Sequence, residues 1–169
     1  LTPRKWKSIK EAVRSCNAPT DTTDPDLVTF LGYEWTQVGT NAESHYGHKN
    51  VMFLDIEENK TPKRAIGAGG VATNGMRNTL PGQATMLRPA AFLDFENRHR
   101  YFNFISFAQE LQGGKFCEEG VSSDLLDEDC YESADTPQDL FRKLNELDLP
   151  AIVIPHGNTW GFYSPPTIT

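Results

Sequence analysis

Three side chains in the sequence have the types and positions of metal ligands: Glu34, His48 and His156. Glu34 lies near the end of the apolar run 26–36, His48 begins the next apolar run, and His156 follows the run 151–155. One carboxylate and two imidazoles suit a divalent metal such as zinc, manganese or iron. A metal held there would lower the pKa of a bound water to about 7 and make hydroxide available as a nucleophile.

Each of these residues also has a purely structural interpretation. Glu34 could pair with a Lys or Arg at the edge of the core, His48 could be a surface histidine, and His156 could cap a strand end by hydrogen bonding. His45 lies three residues before His48 and is a candidate acid–base catalyst, with an ordinary loop histidine as the alternative. His99, inside NRHRYF, is expected on the surface of a helix.

The first two runs predict an antiparallel pair of strands. DLVTFLGYEWT (26–36) and HKNVMFLD (48–55) are separated by a polar, Gly-containing loop. Apolar side chains fall on both parities of the first run, which indicates burial on both faces. If the strands pair, Glu34 and His48 meet at one edge of the sheet.

The segment TPQDLFRKLNELDLP predicts a helix that leads directly into the strand AIVIP. Thr136 is the expected N-cap, Pro137 the first helical residue, and Asp139 the acid of a capping box. An α-to-β unit of this kind is typical of an α/β fold, with the strand buried on both faces. His156 then stands at the carboxyl end of that strand, where sites in such folds lie. The apolar face of the helix comprises Leu140, Phe141, Leu144 and Leu147.

The N-terminal segment predicts a further helix, and the middle of the chain predicts a long irregular insertion at about 55–135. Thr2 and Pro3 begin the first helix, and Trp6, Ile9 and Val13 recur at helical spacing. GAGGVATNG is not followed by Gly-Lys-Ser/Thr, so it predicts a loop and not a phosphate-binding loop. Residues 88–111 predict a helix broken near 99–103, whose aromatic side chains are expected in the core or at an interface.

Composition excludes several classes. The 169 residues are 38% hydrophobic, which predicts one globular domain, and the net charge of −7 argues against a nucleic-acid-binding surface. No apolar stretch is long enough to span a membrane. Residues 117–135 contain eight carboxylates and no Lys or Arg, which is typical of a solvated loop, and a calcium site there is an unspecific alternative. From spacing alone, Cys117 and Cys130 are equally compatible with a disulfide and with two free thiols.

Three motifs in order, TFLGYEWT, HKNVMF and TPQDLFRKLNE…AIVIPHGNTWG, resemble the large bacterial family called domain of unknown function 3604. That family belongs to the PHP (polymerase and histidinol phosphatase) superfamily of metal-dependent hydrolases, and the resemblance spans roughly residues 1–165. It implies an α/β fold: part of a distorted (β/α) barrel, with a mixed sheet and helices packed outside. It also implies that Glu34, His48 and His156 together hold one metal of the cluster, and that the substrate is a small anionic ester such as a phosphate ester.

Other ligand motifs of the superfamily, an early His-x-His, an Asp-His and a late Asp-x-His, are absent from the 169 residues. We therefore expect residues 1–169 to be a fragment of a longer PHP-like domain, weakly active or inactive alone. Its open sheet edges are expected to be covered by another chain, for example in a homo-oligomer. Members of the family are often exported, to the periplasm or outside the cell, and this favours a Cys117–Cys130 disulfide.

A different class of function is a non-catalytic binding or self-assembly module. Its surface would be formed by the aromatic segment 92–107 together with Trp160 and Tyr163. A glycan-related hydrolase in an exported protein is a third interpretation, which the sequence does not separate from phosphoester hydrolysis.

Overall fold

The computed structural model describes residues 1–17, 27–78 and 85–156. Within these ranges the chain is mixed α/β, with a three-stranded and a two-stranded sheet. The helices are α1 (Pro3–Asn17), α2 (Gly70–Asn78), α3 (Arg88–Leu93), α4 (Arg98–Gly113) and α5 (Pro137–Glu146). The strands are β1 (Leu31–Gln37), β2 (Gly47–Phe53), β3 (Ile66–Ala68), β4 (Glu132–Ala134) and β5 (Ala151–Pro155).

Strand β2 is the centre of the larger sheet, whose order is β1-β2-β5. It pairs antiparallel with β1, with Thr36 opposite His48, and antiparallel with β5, with Lys49 opposite Pro155. The predicted antiparallel pair is therefore confirmed. Because β1 and β5 both run opposite to β2, their carboxyl ends lie at the same edge of the sheet as the beginning of β2.

One face of this sheet carries the core. Leu31, Tyr33 and Trp35 alternate along β1 and are all buried, as expected when side chains of a strand point to opposite faces. The Trp6 ring of α1 meets the Tyr33 ring edge-on, with centroids 5.6 Å apart. The Trp6 indole N–H donates to the carbonyl of Pro62 at 2.9 Å, so its polar atom is satisfied although the side chain is fully buried.

Helix α1 begins as the sequence predicts. The Thr2 hydroxyl accepts a hydrogen bond from the Lys5 backbone N–H at 3.1 Å, which makes Thr2 the N-cap. On the same helix, Lys10 is buried, and its ammonium lies 2.6 Å from Glu58. Arg14 donates to the Ile56 carbonyl at 2.7 Å. These polar contacts fix the side of α1 that faces residues 56–61.

The opposite face of the larger sheet is open within the described residues, and here the prediction of strands buried on both faces is wrong. Ile152 and Ile154 of β5 are 64% and 44% exposed, and Phe30, just before β1, is 59% exposed. Apolar residues at both parities predicted burial on both faces, but no described element covers this one. Neither sheet closes into a barrel within residues 1–17, 27–78 and 85–156.

Helix α5 confirms its predicted start and most of its apolar face. The Thr136 hydroxyl accepts from the Asp139 backbone N–H at 3.1 Å and donates to the Asp139 carboxylate at 3.1 Å. Leu140 and Leu144 are buried in the core, whereas Phe141 is 46% exposed, which corrects its predicted place on that face. In the turn to β5, Asp148 has a φ of +49°, in the left-handed region that aspartate tolerates better than most residues.

The segment 55–135 contains more regular structure than an irregular insertion. Strands β3 and β4 pair in parallel, and α2 begins at Gly70, within a stretch for which the sequence predicts a loop. Gly70 has a φ of +86°, and a Cβ on it would lie 2.5 Å from the Val38 carbonyl oxygen. The Val71 N–H donates to that same carbonyl at 2.9 Å, so the glycine lets the start of α2 contact the end of β1.

Helices α3 and α4 replace the single broken helix that the sequence predicts. The break is a short 3-10 turn at Phe95–Asn97, slightly earlier than expected. Several aromatic side chains of this segment lie on the surface instead of in the core: Phe92 (74% exposed), Phe95 (62%), Phe102 (41%) and Phe104 (46%). Among the helices of the described ranges, none is long and apolar enough to cross a membrane.

The acidic segment is held by a disulfide and by a buried ion pair. Cys117 and Cys130 are bonded, with Cα atoms 4.9 Å apart, and closing this loop is worth about 3 kcal/mol in the chain-entropy model. Glu132 is buried and is not part of a solvated loop. Its carboxylate lies 2.7 Å from the Arg64 guanidinium and 3.0 Å from the Lys143 ammonium. Arg64 also donates to the Leu126 carbonyl at 3.1 Å, so it joins the chain just before β3 to the acidic segment.

We expect Arg64→Met to lower the free energy of unfolding by about 3 kcal/mol, because it leaves the buried Glu132 carboxylate without its main partner. Arg142→Met is the matched control: its guanidinium is 54% exposed and pairs with Glu146, and such pairs contribute about 0–1 kcal/mol. Urea unfolding followed by circular dichroism measures both. Equal, small losses in the two variants would contradict a central role for the buried pair.

Candidate metal centre

The antiparallel ladders bring Glu34, His48 and His156 to one corner of the open sheet face. Glu34 and Thr36 are on the same face of β1 because residues two apart on a strand point the same way. Thr36 lies directly opposite His48 on β2. His156 follows β5 immediately and donates its backbone N–H to the His48 carbonyl at 2.9 Å. The predicted meeting of Glu34 and His48 is thus confirmed, with His156 beside them.

Glu34, Thr36 and His48 form a closed triangle of polar atoms. The Thr36 hydroxyl donates to Oε1 of Glu34 at 2.8 Å. Nδ1 of His48 lies 2.7 Å from that same oxygen and 3.0 Å from the Thr36 hydroxyl oxygen. The carboxylate and imidazole are 45% and 28% exposed, so solvent screens their attraction and the contact orients the groups more than it stabilises the fold.

The two imidazoles lie close together across the β2–β5 pair. Their ring centroids are 5.8 Å apart and the planes are inclined by 33°. The positions of both rings are set by the backbone ladder, because His48 lies on the central strand and His156 is hydrogen-bonded to it. The corner therefore places two nitrogen ligands and one carboxylate on neighbouring strands.

Hydrogen bonding lowers the pKa of the Glu34 carboxyl below its ordinary value of 4.5, and the largest cause is the Thr36 hydroxyl. His48 contributes by a hydrogen bond and by its charge, and His156 contributes by its charge. A group with a lowered pKa stabilises the folded state above its unfolded pKa, here about 4.5, and this contribution is lost as the pH falls through the folded value. Because Glu34 is exposed, the contribution is small.

Sequence reasoning identified Glu34, His48 and His156 but missed Thr36. The signal was present, since Glu34-x-Thr36 on a strand places both side chains on one face. His45 is half-buried and lies between the 3-10 turn Ala42–Ser44 and the start of β2. Its proposed part in proton transfer stays a prediction. His99 is exposed on α4, as expected. Trp160 and Tyr163 lie outside the described residues.

One carboxylate and two imidazoles form a donor set that suits a divalent metal chemically. Within the described ranges, no group of three or more His, Cys, Asp or Glu side chains has the arrangement of a metal-binding cluster. The corner is also an open surface. It is separate from two clefts of about 290 and 460 Å³, lined in part by Phe116 and Asp139 and by Arg4 and Glu58 respectively.

Because Thr36 is the largest cause of the low pKa of Glu34, we expect Thr36→Val to raise that pKa toward 4.5. Thr36→Ser keeps the hydroxyl and should retain most of the shift. The measurement is a pH titration of the Glu34 side-chain carboxyl by ¹³C NMR. An unchanged titration in Thr36→Val would show that this hydrogen bond does not set the ionisation of the carboxyl.

Comparison of the chain with family models, with curated proteins and with solved structures gave no match. The resemblance to the domain of unknown function 3604 therefore rests on the three sequence motifs.

Proposed function

We propose that the chain carries the metal-binding part of a metal-dependent hydrolase related to the PHP superfamily, acting on a small anionic ester. The observation that carries the proposal is the convergence of Glu34, His48 and His156 on one corner of the larger sheet, with the two imidazole centroids 5.8 Å apart. With metal–nitrogen bonds of about 2.0–2.1 Å, rings at this separation can reach one ion.

In this proposal both imidazoles hold the metal through nitrogen, and Glu34 holds it through a carboxylate oxygen. Zinc, manganese and iron all accept this donor set. When bound, such a metal supplies Lewis acidity toward an ester oxygen and toward water. A divalent ion together with two neutral imidazoles and one carboxylate would carry a net charge of about +1, which favours an anionic substrate over a neutral one. His45, near the start of β2, is the residue we propose for proton transfer.

The proposed fold is a partial PHP-like barrel. It is supported by the carboxyl ends of β1 and β5 lying at one edge of a sheet, with candidate ligands at that edge. Export to an oxidising compartment is supported by the Cys117–Cys130 disulfide, because such bonds persist there. Since other ligand motifs of the superfamily are absent from the sequence, we propose that the chain alone binds one metal and hydrolyses esters weakly.

We expect the purified chain to retain about one equivalent of zinc or manganese after reconstitution and removal of excess metal. His156→Ala removes one nitrogen ligand and should weaken metal affinity at least about tenfold, since even outer-shell changes have effects of that size. His99→Ala is the matched control, because His99 is an exposed histidine on α4. The measurements are elemental analysis and isothermal titration calorimetry.

Two results would contradict the proposed metal site. One is wild-type protein that holds little of either metal after reconstitution. The other is equal metal content and affinity in His156→Ala and the wild type. A loss of affinity in His99→Ala as large as in His156→Ala would also count against the assigned corner.

A second candidate function is self-association through the aromatic surface of α3 and α4. The specific observation is that Phe92 is 74% exposed and Phe104 is 46% exposed, on two helices that contact each other. Large apolar side chains exposed in this way are typical of contact surfaces between proteins. In this interpretation the chain associates without metal, and the sheet corner is a structural feature.

If this second function holds, the wild type should be dimeric or larger, with or without a chelator. The combined change Phe92→Ser and Phe104→Ser should raise the dissociation constant about tenfold or more, because it removes buried apolar contact. Phe116→Ser is the control, since Phe116 is 60% exposed but lies outside these helices. Sedimentation velocity in the presence and absence of EDTA measures the association. A monomeric wild type would exclude this function.

A further inference from the structure

The open face of the larger sheet carries the side chains that alternate with the buried ones along β1, β2 and β5. The register of the two ladders arranges them in three rows that cross the strands, roughly 7 Å apart along each strand. From the corner inwards, the rows are Thr36-His48-His156, Glu34-Asn50-Ile154 and Gly32-Met52-Ile152. The face therefore changes from polar to apolar over a short distance.

Asn50 occupies the centre of this face, on the middle strand and in the middle row. It lies between Glu34 and Ile154 and is half-buried. Asparagine is depleted in strands, so its presence at the centre of a sheet calls for a reason. Within residues 1–17, 27–78 and 85–156 the Asn50 side chain makes no hydrogen bond, and its two amide N–H groups can donate to a ligand. Side-chain amides are among the donors that bind anionic oxygens.

The third row and Ile154 provide apolar surface next to Asn50. Ile154 is 44% exposed and Ile152 is 64% exposed. A Cβ on Gly32 would lie 3.2 Å from Cγ of Met52, so the glycine leaves room for the Met52 side chain to lie against β1. Ligand sites commonly combine apolar surface with a few polar groups that orient the ligand. The face has this composition, with the candidate ligands at one end of it.

We propose that this face binds the substrate: Asn50 donates to an anionic oxygen of the ester, and Met52, Ile152 and Ile154 contact an apolar group of the same molecule. The substrate class is then an anionic ester of an aryl or alkyl alcohol. Rows about 7 Å apart accommodate a group the size of one aromatic ring beside the anionic group. The position of the anionic group near the corner rests on the proposed metal-dependent function, whereas the amide and the apolar surface do not.

The charges around Asn50 determine how a metal affects this binding. Glu34 lies in the same row, and its carboxylate repels an anion when no metal is bound. A divalent ion at the corner reverses the sign of the local charge. We therefore expect the metal-free protein to bind an anionic ligand on this face more weakly than the zinc-loaded protein does.

Two probes separate the two contacts. Phenylphosphonate has an anionic group and an aromatic ring, and methylphosphonate lacks the ring. NMR of the wild type, metal-free and zinc-loaded, records the shifts of the Asn50 side-chain amide and of the δ1 methyl groups of Ile152 and Ile154. Leu125, which is 71% exposed in the acidic segment, supplies reference methyl signals. Calorimetry on the zinc-loaded protein gives the affinities.

We expect phenylphosphonate to bind about tenfold more tightly than methylphosphonate, because only the phenyl ring covers the isoleucines. Asn50→Leu removes the amide at similar volume and should weaken both probes about tenfold. Ile152→Thr combined with Ile154→Thr keeps β-branched side chains that favour strands, and should weaken phenylphosphonate alone. Leu125→Thr is the control and should change neither affinity.

Equal affinities for the two probes would overturn the inference, and so would wild-type affinities in Asn50→Leu. Shifts of Ile152 that depend on protein concentration without any probe would assign the face to self-association instead. A wild type that holds no zinc but shows probe shifts at Asn50 and Ile154 would contradict the proposed function and support the face as a ligand site. A wild type that holds zinc but shows none of these shifts would support the proposed metal site and overturn the inference.

Discussion

The central position of strand β2 is the constraint on which the candidate site depends. Its hydrogen bonds to β1 place Thr36 opposite His48, and its hydrogen bonds to β5 lead to His156 beside the same histidine. The three candidate ligands come from positions 34, 48 and 156, so no local segment holds them together. Two antiparallel ladders do so, and each fixes the face as well as the position of its side chains.

The parts of the fold that the sequence predicts well are those set by local chemistry. Thr2 and Thr136 cap their helices because a hydroxyl next to a helical run has few better partners than the first free N–H groups. The meeting of Glu34 and His48 was predictable because a polar loop between two apolar runs favours an antiparallel pair. Thr36 was not predicted because the candidate ligands were sought among titratable side chains, and a threonine hydroxyl is not one. Its spacing of two residues from Glu34 nevertheless places both side chains on the same face of the strand.

The wrong predictions of burial have a common physical cause. Whether a residue is buried depends on the elements that cover it and not only on its own side chain. Ile152, Ile154 and Phe92 are apolar but exposed. Glu132 is the converse, since it lies in a strongly acidic segment and is nevertheless buried against Arg64. That pairing joins residues distant in sequence, and no local pattern indicates it. Gly70 similarly has a packing role, at the start of α2 against β1, that a Gly-rich composition does not reveal.

The turn from α5 to β5, where Asp148 adopts its left-handed conformation, has a consequence for the chemistry at the other end of the strand. Side chains along β5 alternate between the two faces, so the number of residues in the turn decides on which side of the sheet His156 emerges. Deleting one residue would move the histidine to the core side and away from Glu34. Deleting two would restore its side but displace it by roughly 7 Å along β2. The length of this turn therefore determines where His156 lies, and the candidate site depends on it as much as on the identity of its ligands.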